Sequence, residues 1–177
     1  EDHFDSEERE FEEDLANKLS RFLEMQSSKK SYFFDVEDFE NLFDHFLDQG
    51  DLNQALIVLD LSKEQHPFAF SMTIRKAQFC VAKGQLNDAL TLLNSVEKME
   101  PYNVDLLLMK ASVFSQMHQH EKAILYYGKA IEHQVGNELE IMLDMAMEYQ
   151  EINQYEKAIL MLANILDHDP ENEIALH

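Results

Sequence analysis

Apolar positions recur along this chain with a period of about 34 residues. In each of four copies, a small residue is followed four positions later by a large one, and the small residue is Ala55, Ala89, Ala123 or Ala158. An earlier pair, three positions apart, precedes each of these alanines, and its first member is Phe43, Ala77, Ala111 or Ala146. Spacings of three and four place side chains on one face of a helix. The pattern therefore predicts two amphipathic helices in each copy, stacked on their neighbours around a continuous core.

Turn and capping residues stand where this pattern needs them. Between the two helices of each copy lie residues that tolerate a left-handed backbone, namely Gly50, Gly84, His118 and Asn153. Three copies close on a proline, at Pro67, Pro101 and Pro170. Where first helices should begin, side chains able to cap free amide groups are Asp35, Asn103 and Asn172. Phe34 is placed to pack on Phe39 as a hydrophobic staple.

These positions resemble the tetratricopeptide repeat (TPR) family, whose unit is a helix–turn–helix of about 34 residues. The resemblance covers about residues 36–172 and implies repeats at 36–69, 70–103, 104–138 and 139–172. It implies an all-α fold, an α-solenoid or superhelix of about four repeats. The tryptophan common early in the first helix of such repeats is absent, and Phe39, Thr73, Leu107 and Met142 replace it. Phe43 fills a position that is usually small, so we expect the first repeat to have a different neighbour.

An acidic N-terminal segment, residues 1–31, precedes the repeats; its first 14 residues include nine acids. An apolar stripe at helical spacing follows, formed by Phe11, Leu15, Leu19 and Phe22. It predicts an extra helix over about residues 7–26, with Asp5 and Glu8 as a capping box. We expect this helix to pack on the first repeat and cap the array, and the alternative is that it folds into the groove and blocks it.

Residues 173–177 resemble the start of a fifth repeat, with Ile174 and Leu176 as its first core residues. We therefore expect the chain to be part of a longer protein. Ile159, Leu162 and Leu166 lie on the second helix of the fourth repeat, and some of these side chains should then remain exposed. Exposed apolar patches tend to find partners, so self-association through this end is a further expectation, which the negative charge opposes.

The negative net charge of the chain argues against nucleic acid as a partner. The chain carries 35 acidic and 14 basic residues, a net charge of −21. Such a surface repels phosphate backbones and favours basic proteins or peptides over nucleic acid. No apolar run reaches the roughly 20 residues of a membrane span. With one cysteine and no signal-peptide pattern, the expected location is cytoplasmic, and a leader removed upstream is the alternative.

No residues form a pattern typical of catalysis. His118 and His120 stand two positions apart and could share a metal ion, but zinc-ligand spacings are missing, so a helix-ending residue beside an exposed one is favoured. Cys80 falls in the core register, which indicates a buried thiol rather than a nucleophile. The acidic start lacks the glycine-turned loop of an EF-hand. We therefore predict a protein that is not an enzyme and has no catalytic residue, metal or cofactor.

The resemblance implies a protein-interaction scaffold that binds a peptide or protein segment on a concave face lined by first helices. The groove positions that it implies are Glu37, Glu40, Asn41 and Asp44 in the first repeat, Ser71, Ile74, Arg75 and Gln78 in the second, Asp105, Leu108, Met109 and Ser112 in the third, and Glu140, Leu143, Asp144 and Met147 in the fourth. They form an apolar floor between two acidic ends. This suits a partner with a few apolar anchors flanked by lysine or arginine.

The family's clamp for C-terminal carboxylates is not matched, because acids stand where its lysine and first asparagine would be.

Three alternatives to this groove function stay open. The groove acids could merely solvate an unused face. The chain could also be a regulatory or substrate-docking part of a larger enzyme, or a structural subunit that stacks end to end.

Overall fold

The computed structural model describes residues 4–28, 30–134, 136, 138–170 and 172, with side chains from residue 13 onward. Within these residues there are nine α-helices and no strand. They are α1 (Phe4–Ser27), α2 (Val36–Asp48), α3 (Leu52–Gln65), α4 (Phe70–Ala82), α5 (Leu86–Glu97), α6 (Val104–Gln116), α7 (His120–His133), α8 (Glu138–Glu151) and α9 (Tyr155–His168). The expected all-α helical repeat fold is confirmed. Helices α2 to α9 form four helix–turn–helix pairs, whereas the exact repeat boundaries stay a prediction.

The four turns inside the helix pairs share one backbone conformation. Gly50, Gly84, His118 and Asn153 have φ angles of 71°, 72°, 55° and 59°. In each turn the amide of the next residue donates to a carbonyl five residues back, as Asp51 N does to Phe46 O at 2.8 Å. The left-handed residue itself donates three residues back, as Gly50 N does to Leu47 O at 2.9 Å. This is the Schellman motif, so the turn prediction is confirmed at all four positions.

Two of the predicted helix caps are present. Asp35 accepts from Asp38 N at 2.8 Å and its own amide donates to the Asp38 carboxylate at 3.1 Å, which completes a capping box. Asn103 accepts from Leu106 N at 3.0 Å. The expected capping box at Asp5 is wrong, because α1 already begins at Phe4 and an N-cap lies outside its helix.

The chain divides into two compact units, Glu1–Phe79 and Cys80–His177. The core of the first unit is aromatic and includes a residue of α1. The ring centroid of Phe22 lies 5.6 Å from that of Phe46 and 6.4 Å from that of Phe34. Phe43, the oversized residue of the first repeat, is fully buried in the same cluster as Phe22. Lys18 also joins α1 to α2, with its Nζ 2.6 Å from Asp38 Oδ1.

The segment between α1 and α2 is extended and is held by side chains at the end of α3. Gln65 Nε2 donates to Tyr32 O at 3.0 Å, and Gln65 Oε1 accepts from Phe34 N at 3.0 Å. Phe34 is fully buried, and its ring centroid lies 5.6 Å from that of Phe39, which confirms the expected staple. One glutamine thus binds a main-chain carbonyl and a main-chain amide of the same extended segment.

The second unit packs around small residues. Ala111, Ala123 and Ala130 are fully buried beside Leu107 and Tyr127. Because these positions carry only a methyl group, helix axes can approach closely there. Cys80 is also buried, as its register indicated.

A buried lysine lies in this unit. Lys110 Nζ donates to Asn94 Oδ1 at 2.8 Å and to Glu97 Oε2 at 2.7 Å, and it lies 4.5 Å from the centre of the Tyr126 ring. Burial alone would raise the pKa of Glu97, but the hydrogen bond and charge of Lys110 lower it below its usual range. The ammonium is therefore paired rather than left as an isolated buried charge.

Candidate functional site

The groove residues predicted in the first unit lie on α2 and α4, and we call this surface the unit 1 face. Its residues are Glu37, Glu40, Asn41, Asp44, Ser71, Ile74, Arg75 and Gln78. Glu37 is exposed, whereas the others are partly buried except Ile74. Ile74 is only 3% exposed, because it lies on the same side of α4 as the buried Ala77. It contributes to the core and offers little open surface.

An ion pair joins the two helices of the unit 1 face. Arg75 Nη2 lies 2.9 Å from Asp44 Oδ2. Burial raises the pKa of the Asp44 carboxyl despite the opposing charge of Arg75, and Asp48 and Glu40 raise it further. The carboxylate is thus partly removed from water and lies among other acids.

Among the described residues, two polar atoms on α4 have no hydrogen-bond partner. They are Arg75 Nε, a donor, and Gln78 Oε1, an acceptor, and both atoms are buried. Residues 75 and 78 lie one helical turn apart, so their side chains leave α4 on the same side. Buried polar atoms without partners are rare and call for an explanation.

The groove residues predicted in the second unit lie on α6 and α8, and we call this surface the unit 2 face. Its residues are Asp105, Leu108, Met109, Ser112, Glu140, Leu143, Asp144 and Met147. Asp105, Glu140 and Met147 are exposed and the other five are partly buried. Leu108 packs against the core cluster of this unit. The unit 2 face therefore combines partly buried apolar side chains with acids.

Asp144 lies near two other acids on α8. Burial raises the pKa of its carboxyl, and the carboxylates of Glu148 and Glu140 raise it further. These three acids are spaced four residues apart on α8, where like charges destabilise a helix. A cation placed beside Asp144 would relieve this repulsion.

The two neighbouring histidines, His118 and His120, line one cavity together with Ile152. Their ring centroids lie 5.8 Å apart, and His120 Nδ1 lies 2.7 Å from Glu148 Oε2 on α8. Glu148 is buried, so this contact joins the first residue of α7 to a buried acid. Among the described residues, no group of three or more histidine, cysteine, aspartate or glutamate side chains is placed to hold a metal ion.

The sequence reasoning missed the Glu148 contact. The available signal was an acid in the core register, since Glu148 occupies the place that the buried Val113 has one repeat earlier. A charged residue at such a position needs a partner on a neighbouring element.

Apolar side chains are exposed on α9. Ile159 is 65% exposed, as predicted, and Leu160, which the sequence reasoning overlooked, is 72% exposed. Leu162 and Leu166 are partly buried. Ile174 and Leu176 lie outside the described residues. No helix in the described part of the chain is long and apolar enough to cross a membrane.

Comparisons with solved structures show the same fold. A thermophilic TPR protein from Thermus thermophilus superposes with a TM-score of 0.68 at 22% identity, covering 80% of this chain and 77% of that one. MamA from Desulfovibrio magneticus RS-1 gives 0.64 at 18% identity, covering 78% of each chain. YrrB, described as a TPR protein with an unusual peptide-binding site, gives 0.63 at 15% identity, covering 97% of this chain and 84% of that one.

Sequence comparison identifies the family. No curated protein matches the chain significantly. The sequence model of one family, described as "Psidin, N-terminal TPR repeats region", matches residues 39–176, which is most of the chain. The resemblance to TPR proteins is thereby confirmed, and this chain belongs to the family of the Psidin N-terminal TPR repeats region.

Proposed function

We propose that this chain is a non-catalytic scaffold that binds a protein segment carrying a few apolar anchors and basic flanks on its first-helix faces. TPR repeats generally serve as protein-interaction scaffolds, and membership of a TPR family supports this class of function. The structurally similar YrrB is described as having a peptide-binding site. The observation that carries the finer proposal is the unit 2 face, where the partly buried Asp144 shares α8 with the partly buried Leu143 and the exposed Met147.

The unit 2 face offers favourable contacts to both the apolar anchors and the basic flanks of such a segment. Covering Leu143 and Met147 with an apolar anchor removes their surface from water, which is worth roughly 25 cal/mol per Å². A lysine or arginine next to the anchor would meet Asp144, whose carboxyl is partly desolvated and repelled by its neighbours. Because the site already disfavours a lone carboxylate, the partner's cation gains more there than at an ordinary exposed acid.

The charge of the whole chain supports the same partner. A net charge of −21 attracts basic segments and raises their rate of association at low salt. On the unit 1 face, Glu37 and Glu40 add acids on the accessible side of α2. The proposal therefore predicts that association with a basic segment depends on salt. It also predicts that burial of apolar side chains holds the segment once it is bound.

Fluorescence anisotropy with a labelled peptide of alternating lysine and leucine tests the proposal. Affinity should fall as salt rises, and it should fall again in Leu108→Asp and in Glu37→Lys. Matched controls on second helices are Leu125→Asp and Asp60→Lys, which change exposed residues outside both faces. If the face variants and their controls bind alike, these faces are not the site and the proposal fails.

Self-association is a second candidate function, and the exposed Ile159 and Leu160 on α9 favour it. Both side chains are more than half exposed on one helix, and larger apolar patches of this kind mark interfaces. Sedimentation velocity over a range of concentrations tests this idea. A cytoplasmic location and a role in a larger enzyme or stacked assembly remain predictions that rest on the sequence.

A further inference from the structure

The third turn inside a helix pair carries two histidines that the scaffold function does not use. His118 has a φ of 55° at the position where the other three turns have Gly50, Gly84 and Asn153. A Cβ is strained in this left-handed conformation, and strained residues cluster at functional sites. His120 follows as the first residue of α7. The sequence favoured two unrelated histidines and no metal ion, and the structure gives reasons to revise that expectation.

The two imidazole rings lie almost as close together as two ligands of a single metal ion. They line a cavity of about 330 Å³, and their ring centroids are 5.8 Å apart. Two imidazoles on one tetrahedral zinc ion have centroids about 5 Å apart, because each Zn–N bond is about 2.0–2.1 Å long. His118 is exposed, so a small rotation of its side chain closes the difference.

The contact between His120 and Glu148 leaves the other ring nitrogen of His120 available as a ligand. His120 Nδ1 lies 2.7 Å from Glu148 Oε2, and Glu148 is buried. Because an ionised carboxylate only accepts, Nδ1 carries the proton, and Nε2 of the neutral ring then has a free lone pair. Histidines that bind metals almost always donate their other N–H to a carboxylate, a carbonyl or water, which fixes the ring and raises its basicity.

The charges around the cavity favour a cation. Glu121 lines it with an exposed side chain. Lys122, which also lines it, has its Nζ 2.6 Å from Gln119 Oε1 and 5.2 Å from the centre of the Phe114 ring. The net charge of −21 attracts cations to the whole chain. Imidazole ligands select zinc, copper or nickel, whereas magnesium and calcium prefer oxygen ligands.

We propose that His118 and His120 bind a divalent transition-metal ion such as zinc, with Glu148 as the residue that positions His120. Among the described residues, no group of three or more histidine, cysteine, aspartate or glutamate side chains is placed to hold an ion. The two imidazoles are therefore the protein ligands, and water fills the remaining positions. Such an ion links the residue that ends the turn after α6 to the first residue of α7. This inference is independent of the proposed scaffold function.

Isothermal titration calorimetry with zinc chloride tests the two ligands. The unchanged protein should show one saturable site. His118→Asn keeps the turn, because Asn153 has the same conformation in the fourth turn, and it removes one ligand. His118→Asn and His120→Gln should each weaken zinc binding at least about tenfold, since loss of even an outer partner of a ligand typically costs this much. His133→Asn, at an exposed histidine in the last turn of α7, is the matched control.

The positioning role of Glu148 has its own test. Glu148→Gln keeps an acceptor for His120 and removes the charge, so it should weaken zinc binding about tenfold. Glu151→Gln, at an exposed acid on the same helix, should leave zinc binding unchanged. NMR of the imidazole rings should show that zinc shifts the signals of His118 and His120 and not those of His133. A purely structural Glu148 would change the melting temperature and leave zinc affinity as it is, which would contradict the positioning role.

Magnesium chloride distinguishes a histidine site from an ion held loosely by surface acids. An excess of magnesium should leave zinc binding unchanged, because imidazole is a poor ligand for magnesium. Zinc should also raise the melting temperature of the unchanged protein and not that of His118→Asn, since an ion bound only by the folded state stabilises it. Zinc that binds both histidine variants as it binds the unchanged protein, or that magnesium displaces, would be an adventitious ion only. That result, or the absence of a saturable site, would overturn the proposal.

Discussion

At the scale of single residues, the four left-handed turn residues differ in their steric cost. Gly50 and Gly84 adopt positive φ freely, whereas His118 and Asn153 carry a Cβ that crowds the backbone there. Asparagine tolerates this conformation better than most residues, so the strain should be largest at His118. Of the four turns, the third would therefore gain the most stability from a glycine.

We predict that His118→Gly stabilises the protein by about 0.5–1 kcal/mol, because relief of the left-handed strain exceeds the entropy that glycine adds to the unfolded chain. Thermal unfolding should show a rise of a few degrees. The reverse change, Gly50→Ala, should lower the melting temperature, since it introduces a Cβ at a φ of 71°. Equal melting temperatures for His118→Gly and the unchanged protein would show that the turn stores no such strain.

At the scale of helices, α1 packs on the first repeat through a small number of buried side chains. Phe22 is 1% exposed in the aromatic cluster, whereas its neighbour Leu23 is 47% exposed. Lys18 and Gln26 add polar contacts, with Gln26 Nε2 2.7 Å from Gln54 Oε1 on α3. Through Phe22 the helix thus covers apolar surface of α2 that would otherwise meet water.

Phe22→Ala should destabilise the protein by about 3–5 kcal/mol, the range for a buried phenylalanine, whereas Leu23→Ala should cost less than about 1 kcal/mol. Urea unfolding of the two variants measures the difference. Deleting residues 1–31 should likewise lower stability by several kcal/mol. If that deletion instead leaves stability unchanged and tightens peptide binding, α1 blocks the groove rather than capping the array.

On α8, an acid that takes part in the proposed binding also lowers the stability of the folded protein at neutral pH. A carboxyl whose pKa is raised by folding favours the folded state below its unfolded pKa, and this contribution is lost as pH rises through the folded pKa. Asp144 is such a group. At neutral pH its charge therefore opposes folding, and a partner's cation that pairs with it would offset this cost.

We predict that Asp144→Asn raises the melting temperature at pH 7 and weakens binding of the lysine–leucine peptide. The stability difference should shrink towards about pH 4, where an ordinary aspartate takes up its proton. Melting curves at both pH values and one binding isotherm measure this. Asp105→Asn, at an exposed acid on α6, is the matched control and should change the melting temperature little. A variant that melts lower at pH 7 would show that Asp144 makes a stabilising contact instead.

At the scale of the whole molecule, the local features were predictable from sequence and the long-range polar contacts were not. Periodicity and turn chemistry gave the helix pairs, because they depend on residues within one or two turns of each other. The pairs Asp44–Arg75 and His120–Glu148 join residues 31 and 28 positions apart. No local pattern encodes such contacts, although a charge in the core register, such as Lys110 or Glu148, indicates that one must exist.

The net charge of the whole molecule also affects whether copies can associate through the apolar side chains of α9. Copies carrying −21 repel one another, and salt screens this repulsion over a distance of about 10 Å at 0.1 M. An apolar contact through Ile159 and Leu160 gains nothing from charge and is not weakened by screening. Association of copies and binding of basic peptides should therefore respond to salt in opposite directions.

We predict that sedimentation coefficients rise with protein concentration, and rise more steeply at higher salt, if α9 forms an interface between copies. Replacing Ile159 and Leu160 together by aspartate should return the protein to a monomer, because it places charge in the centre of the apolar patch. Leu56→Asp, at an exposed leucine on α3, should leave association unchanged. A monomer at every concentration and salt would reject the interface, and association that survives the double substitution would place it elsewhere.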